Sequence, residues 1–248
     1  MESLKGKTLF VTGGASGIGL GIAKAAAVEG ANIFIADLRQ SAIDESLAWF
    51  KENNYPAAGA KLDVSDRSAF KVAADAAEAK FGKIHILINN AGIGCASGPL
   101  WSVSAEDTDF ALRINLVGVL NGIQEIVPRI LKHGEEGYIV STASKAGLIP
   151  VPGCGLYNLT KQAVVGISET LASDLKGTKV GAAVLCPGPF TTNLGKSGQE
   201  VEAELLGREI KPFLPPQPKD GEEPPKRPAP PADVDFTKIM RSIDEAGA

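Results

Sequence analysis

Histidine and cysteine are scarce in this chain of 248 residues, and the scarcity narrows its chemistry. Only His85 and His133 are present, too few for a multi-histidine metal centre or for chemistry resembling a serine-protease triad. The three cysteines, Cys95, Cys154 and Cys186, lack metal-ligand spacing and are odd in number. They fit reduced thiols in a cytoplasmic protein, and no metal is expected. Basic blocks are also missing, and the net charge is −4, so nucleic acid is not an expected partner. No apolar run reaches the ~18 residues that a bilayer-spanning helix needs, which argues against a membrane. The opening MESLKGKTLFVTGG shows no charged, then apolar, then cleavable pattern, so no signal peptide is expected.

What is present is an ordinary balance of 44% hydrophobic and 22% charged residues, suited to one α/β domain with a substantial core. Short apolar runs alternate with longer helical patterns. Strands are expected at Lys7–Thr12, Asn32–Asp37, Ala57–Leu62, Ile84–Asn89, Gly137–Thr142 and Lys179–Cys186. Helices are expected at Ile18–Glu29, Ser41–Asn53, Ser65–Phe81 (with Ser65 as N-cap), Ala105–Leu131 and Tyr157–Leu175. Apolar strands joined by helical crossovers predict a Rossmann-like, doubly wound parallel sheet of about six strands with helices on both faces. That domain should span residues 1–211. Nine of the sixteen prolines fall within 212–231, so 212–248 reads as a proline-rich strap followed by a short helix at Asp235–Glu245.

Thr12-Gly13-Gly14-Ala15-Ser16-Gly17-Ile18-Gly19 lies between the first strand and the first helix. Glycines at such a turn allow the backbone to approach a pyrophosphate, and the helix start supplies N–H donors and a positive dipole end. Alone, a glycine-rich loop is a weak signal; its place between strand and helix strengthens it. The candidates from this loop are Gly13, Ser16, Gly17, Ile18 and Gly19. Asp37 ends the second strand, at a distance suited to accepting hydrogen bonds from an adenosine ribose. Its carboxylate would repel a 2′-phosphate, and the loop offers no base to offset it, so NAD is favoured over NADP. Arg39 stands nearby and works against that preference. Asp63 and Val64, after the third strand, are candidates for the adenine. Asn89, Ala91 and Gly92, after the fourth, are candidates for the adenosine side.

Tyr157 and Lys161 lie four residues apart, on one helical face. A tyrosine has a pKa near ~10 and is no base at neutral pH unaided. A neighbouring ammonium stabilises its phenolate, which is the tuning a general acid/base needs.

In combination, these segments resemble the short-chain dehydrogenase/reductase family over roughly residues 5–195. The resemblance rests on TGGASGIG, Asp37, LDVSD, NNAG, RINLVGV, IVSTASKAG, YNLTK and PGPFTT, in order and at similar spacing. It implies that Tyr157 is the catalytic acid/base, and that Lys161 lowers the tyrosine pKa and binds the nicotinamide ribose. Ser144 matches the serine that polarises the reacting oxygen, with Ser141 as the nearby alternative. Asn115 matches the asparagine that completes a water-linked proton relay. Pro187 and Gly188, with Phe190 and Thr192, match the turn that meets the nicotinamide, Thr191 replacing Thr192 if the register slips. The implied reaction is hydride transfer between NAD and an alcohol or ketone.

The candidate pocket walls, Gly94, Cys95, Leu148, Val151, Cys154 and Leu194, are mostly apolar and uncharged. They suit a hydrophobic, conceivably aromatic, secondary alcohol or its ketone. Family members usually add a seventh strand near the C-terminus, and none is legible here. A homodimer or homotetramer built on the helices at Ala105–Leu131 and Tyr157–Leu175 is what the resemblance implies. Two rival readings remain open: a nucleotide-binding scaffold without turnover, favoured by the missing strand, and an NADP-linked carbonyl reductase, disfavoured by Asp37.

Overall fold

Side chains alternate across the first strand, β1 (Thr8–Thr12), and this decides the architecture. Leu9 and Val11 join one apolar cluster while Phe10 joins another, so the strand is buried on both faces. β2 (Asn32–Asp37) repeats the pattern, with Ile33 and Ile35 on one side and Phe34 on the other. The computed structural model describes Met1, residues 3–188 and Leu205. By its contacts the chain divides into Met1–Pro215 and Pro216–Ala248, and everything described here belongs to the first unit. Phe190, Thr191, Thr192, Leu194, the strap, its short helix and any seventh strand lie outside the described residues.

β3 (Ala57–Lys61), β4 (Ile86–Asn89), β5 (Gly137–Thr142) and β6 (Val180–Leu185) complete a six-stranded sheet in the order β3-β2-β1-β4-β5-β6. Every pairing is parallel. α1 (Gly17–Val28) and α2 (Gln40–Glu52) cover the Leu9–Val11–Ile33–Ile35 side through Ala23, Ala26, Ala27, Ile43 and Phe50. The small alanines let α1 lie close to the sheet. On the other side, Phe10 stacks on Phe34 at 5.3 Å and on Phe70 at 5.8 Å. Phe70 comes from α3 (Arg67–Phe81), and each such buried ring contributes roughly 1.5–3 kcal/mol. Chain order reverses across β1 and β4, which opens a crevice at their carboxyl ends, where doubly wound sheets bind ligands.

Two helices differ from expectation. The N-cap of α3 is Asp66 and not Ser65: the Asp66 carboxylate accepts from the backbone N–H groups of Ser68 and Ala69 at 2.8 and 3.1 Å. Ser65 instead donates its own N–H to Asp63. The stretch expected as one helix at Ala105–Leu131 is α4 (Ala105–Leu112), a π-helical turn (Arg113–Val117) and α5 (Gly118–His133). This run of 29 residues is apolar enough to cross a membrane by composition, but 56% of its most apolar window is buried inside the protein, as in the core helix of a globular domain.

At the amino ends of the strands lies a closed polar knot. The N–H of Thr8 donates to Nδ1 of His85 at 3.1 Å, which leaves the ring hydrogen on Nε2, 3.1 Å from Glu135. Glu135 also pairs with Lys7 and Lys83. His133 donates from Nε2 to the Ile84 carbonyl and accepts the Glu135 N–H at Nδ1.

Candidate active site

The glycine-rich loop divides its glycines between two tasks. A Cβ at Gly13 would stand 2.9 Å from the Ala91 backbone, and one at Gly14 2.9 Å from the Val11 carbonyl. Gly19 is packed still more tightly, on Gly13 and Asn90. These three seal the back of the loop, and Gly13 also has a φ of +59°. At the front, Gly17 is exposed while Ser16 and Ile18 are half-buried. Ser16 is the N-cap of α1 but makes no side-chain capping bond. Its hydroxyl accepts from Arg39 at 3.1 Å. The first-turn N–H groups of α1 therefore lack a side-chain cap, and such a helix start is suited to an anion.

Asp37 closes one side of this loop. Its carboxylate accepts the Ala15 N–H at 3.1 Å and the Arg39 N–H at 3.2 Å, with the Arg39 guanidinium 3.6 Å away. Asp63 sits half-buried past β3, and Val64 is buried. The Val64 carbonyl accepts from Asn121. Asn89 is turned away from the crevice: its amide donates to the Val119 carbonyl in α5. Its neighbour Asn90 ties the site together, donating to the carbonyls of Thr12 and Gly13 at 3.2 and 3.1 Å. The Thr12 hydroxyl accepts the N–H groups of Asn90 and Ala91. Thr12 escaped the sequence reading because a threonine at a strand end is unremarkable until its partners are known.

Beyond β5 the chain forms a short 3₁₀ turn, Lys145–Gly147, capped by Ser144, whose hydroxyl accepts the Ala146 N–H at 3.2 Å. The same hydroxyl hydrogen-bonds the Tyr157 phenol. Ser141 lies within the sheet opposite Asn89, its hydroxyl buried without a hydrogen-bond partner among the described residues, so of the two serines it is Ser144 that meets Tyr157. Tyr157 lies in the first turn of α6 (Gly155–Asp174). Lys161, one turn on and 4% exposed, donates to the Thr142 carbonyl at 3.0 Å. Its ammonium is 5.7 Å from the Tyr157 ring centroid. Burial pushes the Lys161 pKa down to about 8, and burial pushes Tyr157 up against the pull of the Ser144 bond. The ammonium that was expected to lower the tyrosine does not outweigh that burial.

Asn115, in the π turn, is fully buried. It accepts the Ile93 N–H at 2.8 Å and donates to the Ile93 carbonyl at 3.0 Å, with the Thr160 hydroxyl at 3.3 Å and the Cys95 sulfur at 3.6 Å. A Cβ on Gly92 would lie 3.2 Å from Asn115 Oδ1 and 3.3 Å from Lys161 Nζ. Gly92 is thus the point where these two side chains converge. Burial pushes the Cys95 thiol up to about 12, which makes it an inert wall and not a nucleophile. The Pro187 carbonyl accepts the Lys145 N–H at 2.8 Å, which draws the end of β6 to the Ser144 turn; a Cβ on Gly188 would meet nothing within 4 Å among the described residues.

The uncapped helix start, the open front of the loop and the Asp37 carboxylate fit a dinucleotide lying across the crevice. The Ser144–Tyr157 pair lies past the carboxyl end of β5, with Lys161 one turn further along α6.

Comparisons with known proteins agree with this architecture. A family model described as short chain dehydrogenase matches residues 7–203. A C alpha-dehydrogenase of Sphingobium sp. (strain NBRC 103272 / SYK-6) is 33% identical over 80% of this chain. The match spans 65% of that relative, just under two thirds of its length. The oxidoreductase UcpA of Salmonella typhimurium is 34% identical over 79% of this chain and 74% of its own. Among solved structures, a short chain dehydrogenase/reductase from Burkholderia phymatum in complex with NAD superposes with a TM-score of 0.81. It is 37% identical and covers 86% of this chain and 75% of its own.

Proposed function

The chain belongs to the short-chain dehydrogenase family of oxidoreductases, and from that premise we propose that it interconverts a hydrophobic secondary alcohol and its ketone with NAD. The observation that carries this reading is the Ser144 hydroxyl bonded to the Tyr157 phenol, with a buried Lys161 one turn along the same helix. NAD, held by the α1 start, Asp37 and the Asn90–Gly92 turn, supplies the hydride acceptor. Tyr157 takes the proton of the substrate hydroxyl, Ser144 donates a hydrogen bond to the same oxygen, and Asn115 fixes the Ile93 backbone beside them. Because burial holds the phenol protonated, alcohol oxidation should rise with pH and ketone reduction should fall. NAD also occupies the Burkholderia phymatum neighbour.

One observation favours NADP as a second reading. The Arg39 guanidinium rests on Ser16 beside Asp37, where a 2′-phosphate would find a cation. Titrating both oxidised cofactors, then following reduced-cofactor absorbance across a panel of hydrophobic secondary alcohols, tests both readings. Tighter NAD binding with turnover of at least one panel member is expected. Equal or tighter NADP binding overturns the cofactor choice, and NAD binding without turnover of any alcohol or ketone favours the scaffold reading.

Exposed Val117 and Leu159 lie on the π turn after α4 and on α6, which supports association through these helices as a homodimer or homotetramer. A strictly monomeric species in light scattering would remove that part. The unpaired thiols of Cys95, Cys154 and Cys186 support a reducing compartment, the cytoplasm.

A further inference from the structure

The two tryptophans of this chain are placed in opposite ways. Trp49 is stacked on Tyr55 at 5.9 Å, edge-on to Phe50, and covered by the Lys24 ammonium. Trp101 is 90% exposed and has no ring or cation partner among the described residues. An indole left in water forgoes a large apolar burial, and its position indicates what would cover it.

Trp101 sits in the 3₁₀ turn Leu100–Ser102, and this turn is clamped onto the catalytic helix. The Gly98 N–H donates to the Gly153 carbonyl at 2.8 Å, and Gly98 bridges Cys154. Leu100 packs so closely on Gly155 that a Cβ there would stand 3.1 Å from it. Gly155 opens α6, two residues before Tyr157. Across the clamp stand Leu148, Ile149 and Val151, also exposed, on the segment that leaves the Ser144 turn. Five of the twelve exposed large hydrophobic residues among those described thus lie on the two clamped segments; the other seven lie elsewhere. The flanking stretches IGCASGPLW (93–101) and AGLIPVPGCG (146–155) contain no charged side chain.

We propose that Trp101, with Leu148 and Ile149, forms a distal subsite that stacks an uncharged aromatic ring on the far side of the substrate from its reacting carbon. The inference rests on the reading of Tyr157 as the proton-exchange group. The occupant is a flat ring because an aromatic pair gains more than area burial alone, and uncharged because residues 93–101 and 146–155 carry no charged side chain. The subsite belongs to the substrate because it continues directly from the segments that carry Ser144 and Tyr157.

Two alcohols test this: one with a single phenyl on the carbinol carbon, and one carrying a second phenyl two or three bonds further out. Trp101→Ala should raise KM for the two-ring alcohol about tenfold or more while leaving its kcat and the one-ring KM unchanged; Trp101→Phe should restore most of the loss. In a Trp49→Phe background Trp101 is the sole tryptophan, so selective indole excitation reads binding without turnover. The two-ring alcohol should quench its emission, and the one-ring alcohol should not. Quenching without oxidation would keep the subsite and sink the assigned reaction. Equal KM changes for both alcohols, no quenching by either, or a change of oligomeric state at an unaltered KM ratio would each overturn the subsite.

Discussion

The two ends of the parallel sheet hold similar raw material and use it differently. At the amino ends, His85 is 5% exposed and both of its ring nitrogens are engaged, one by the Thr8 N–H and one by Glu135. At the carboxyl ends, Lys161 is as deeply buried, yet of its three N–H donors one goes to the Thr142 carbonyl, and the neighbouring helix start is without a side-chain cap. A polar group whose bonds are all satisfied contributes stability, whereas one held in place with capacity to spare is available for chemistry. Substitutions at the amino end should therefore change stability and leave turnover alone, and those at the carboxyl end should do the reverse.

The largest effect expected is at Tyr157. Replacing it with Phe keeps the ring among Leu156, Cys95 and Ala146 and removes only the phenol oxygen. Turnover should fall by roughly 10²–10⁴-fold, with the melting temperature and NAD binding little changed. Lys161→Ala should damage turnover and NAD binding together. If Tyr157→Phe retained full activity with a substrate the parent oxidises, the contrast between the two ends would collapse.

A smaller effect, on the other axis, is expected at His85. His85→Ala strands the buried Thr8 N–H and one bond of Glu135, for a loss of about 1–3 kcal/mol, with kcat per folded molecule unchanged. The pH dependence sharpens the test. Burial holds the His85 pKa below its ordinary 6.5. Its stabilising contribution is therefore complete above 6.5 and is lost as the pH falls from there through the folded value. Hydrogen bonds from Lys83, Lys7 and His85 hold Glu135 far below its ordinary 4.5, so its contribution is present above 4.5 and is lost below it. Thermal melts from pH 8 to 4 should show a decline beginning under 6.5 and steepening under 4.5. In His85→Ala the first stage should disappear; a variant that tracked the parent throughout would sink this account of the amino end.

Much of this was legible in the sequence, for a physical reason. Strands such as TLFVT and NIFIAD have unbroken apolar centres with polar residues only at their ends, and glycines punctuate them where backbone meets backbone, so element type and order could be read directly. Caps are more local: Asp66 displaces Ser65 because its carboxylate reaches two N–H groups at once. Ser144 is preferred to Ser141 already by its match to the family segment, and in three dimensions it is the one that leaves the sheet and meets Tyr157. The importance of Thr12 and Asn90 lies in bonds spanning 77 to 79 residues, which no local pattern encodes. The inward turn of Asn89 beside its outward neighbour follows from the alternation of a strand, but which of the two faces the crevice depends on how β4 sits against α5.

The π turn at Arg113–Val117 acts as a rotational gear between two helical segments. An α-helix advances about 100° per residue, so one residue accommodated in a wider turn re-aims everything beyond it by about that angle relative to an unbroken helix. Phe110 and Ala111 of α4 and Gly118, Asn121 and Gly122 of α5 are all buried, on either side of the turn that carries Asn115. Length changes are therefore not equivalent along this rod. Deleting one residue inside the turn would let it close into ordinary helix, with the flanking helices kept in line but Asn115 pulled off Ile93. The same deletion in the exposed loop before Ala105 would only shorten a tether. Indel tolerance, scanned residue by residue from 103 to 120, would trace this gear as a narrow forbidden notch centred on Asn115.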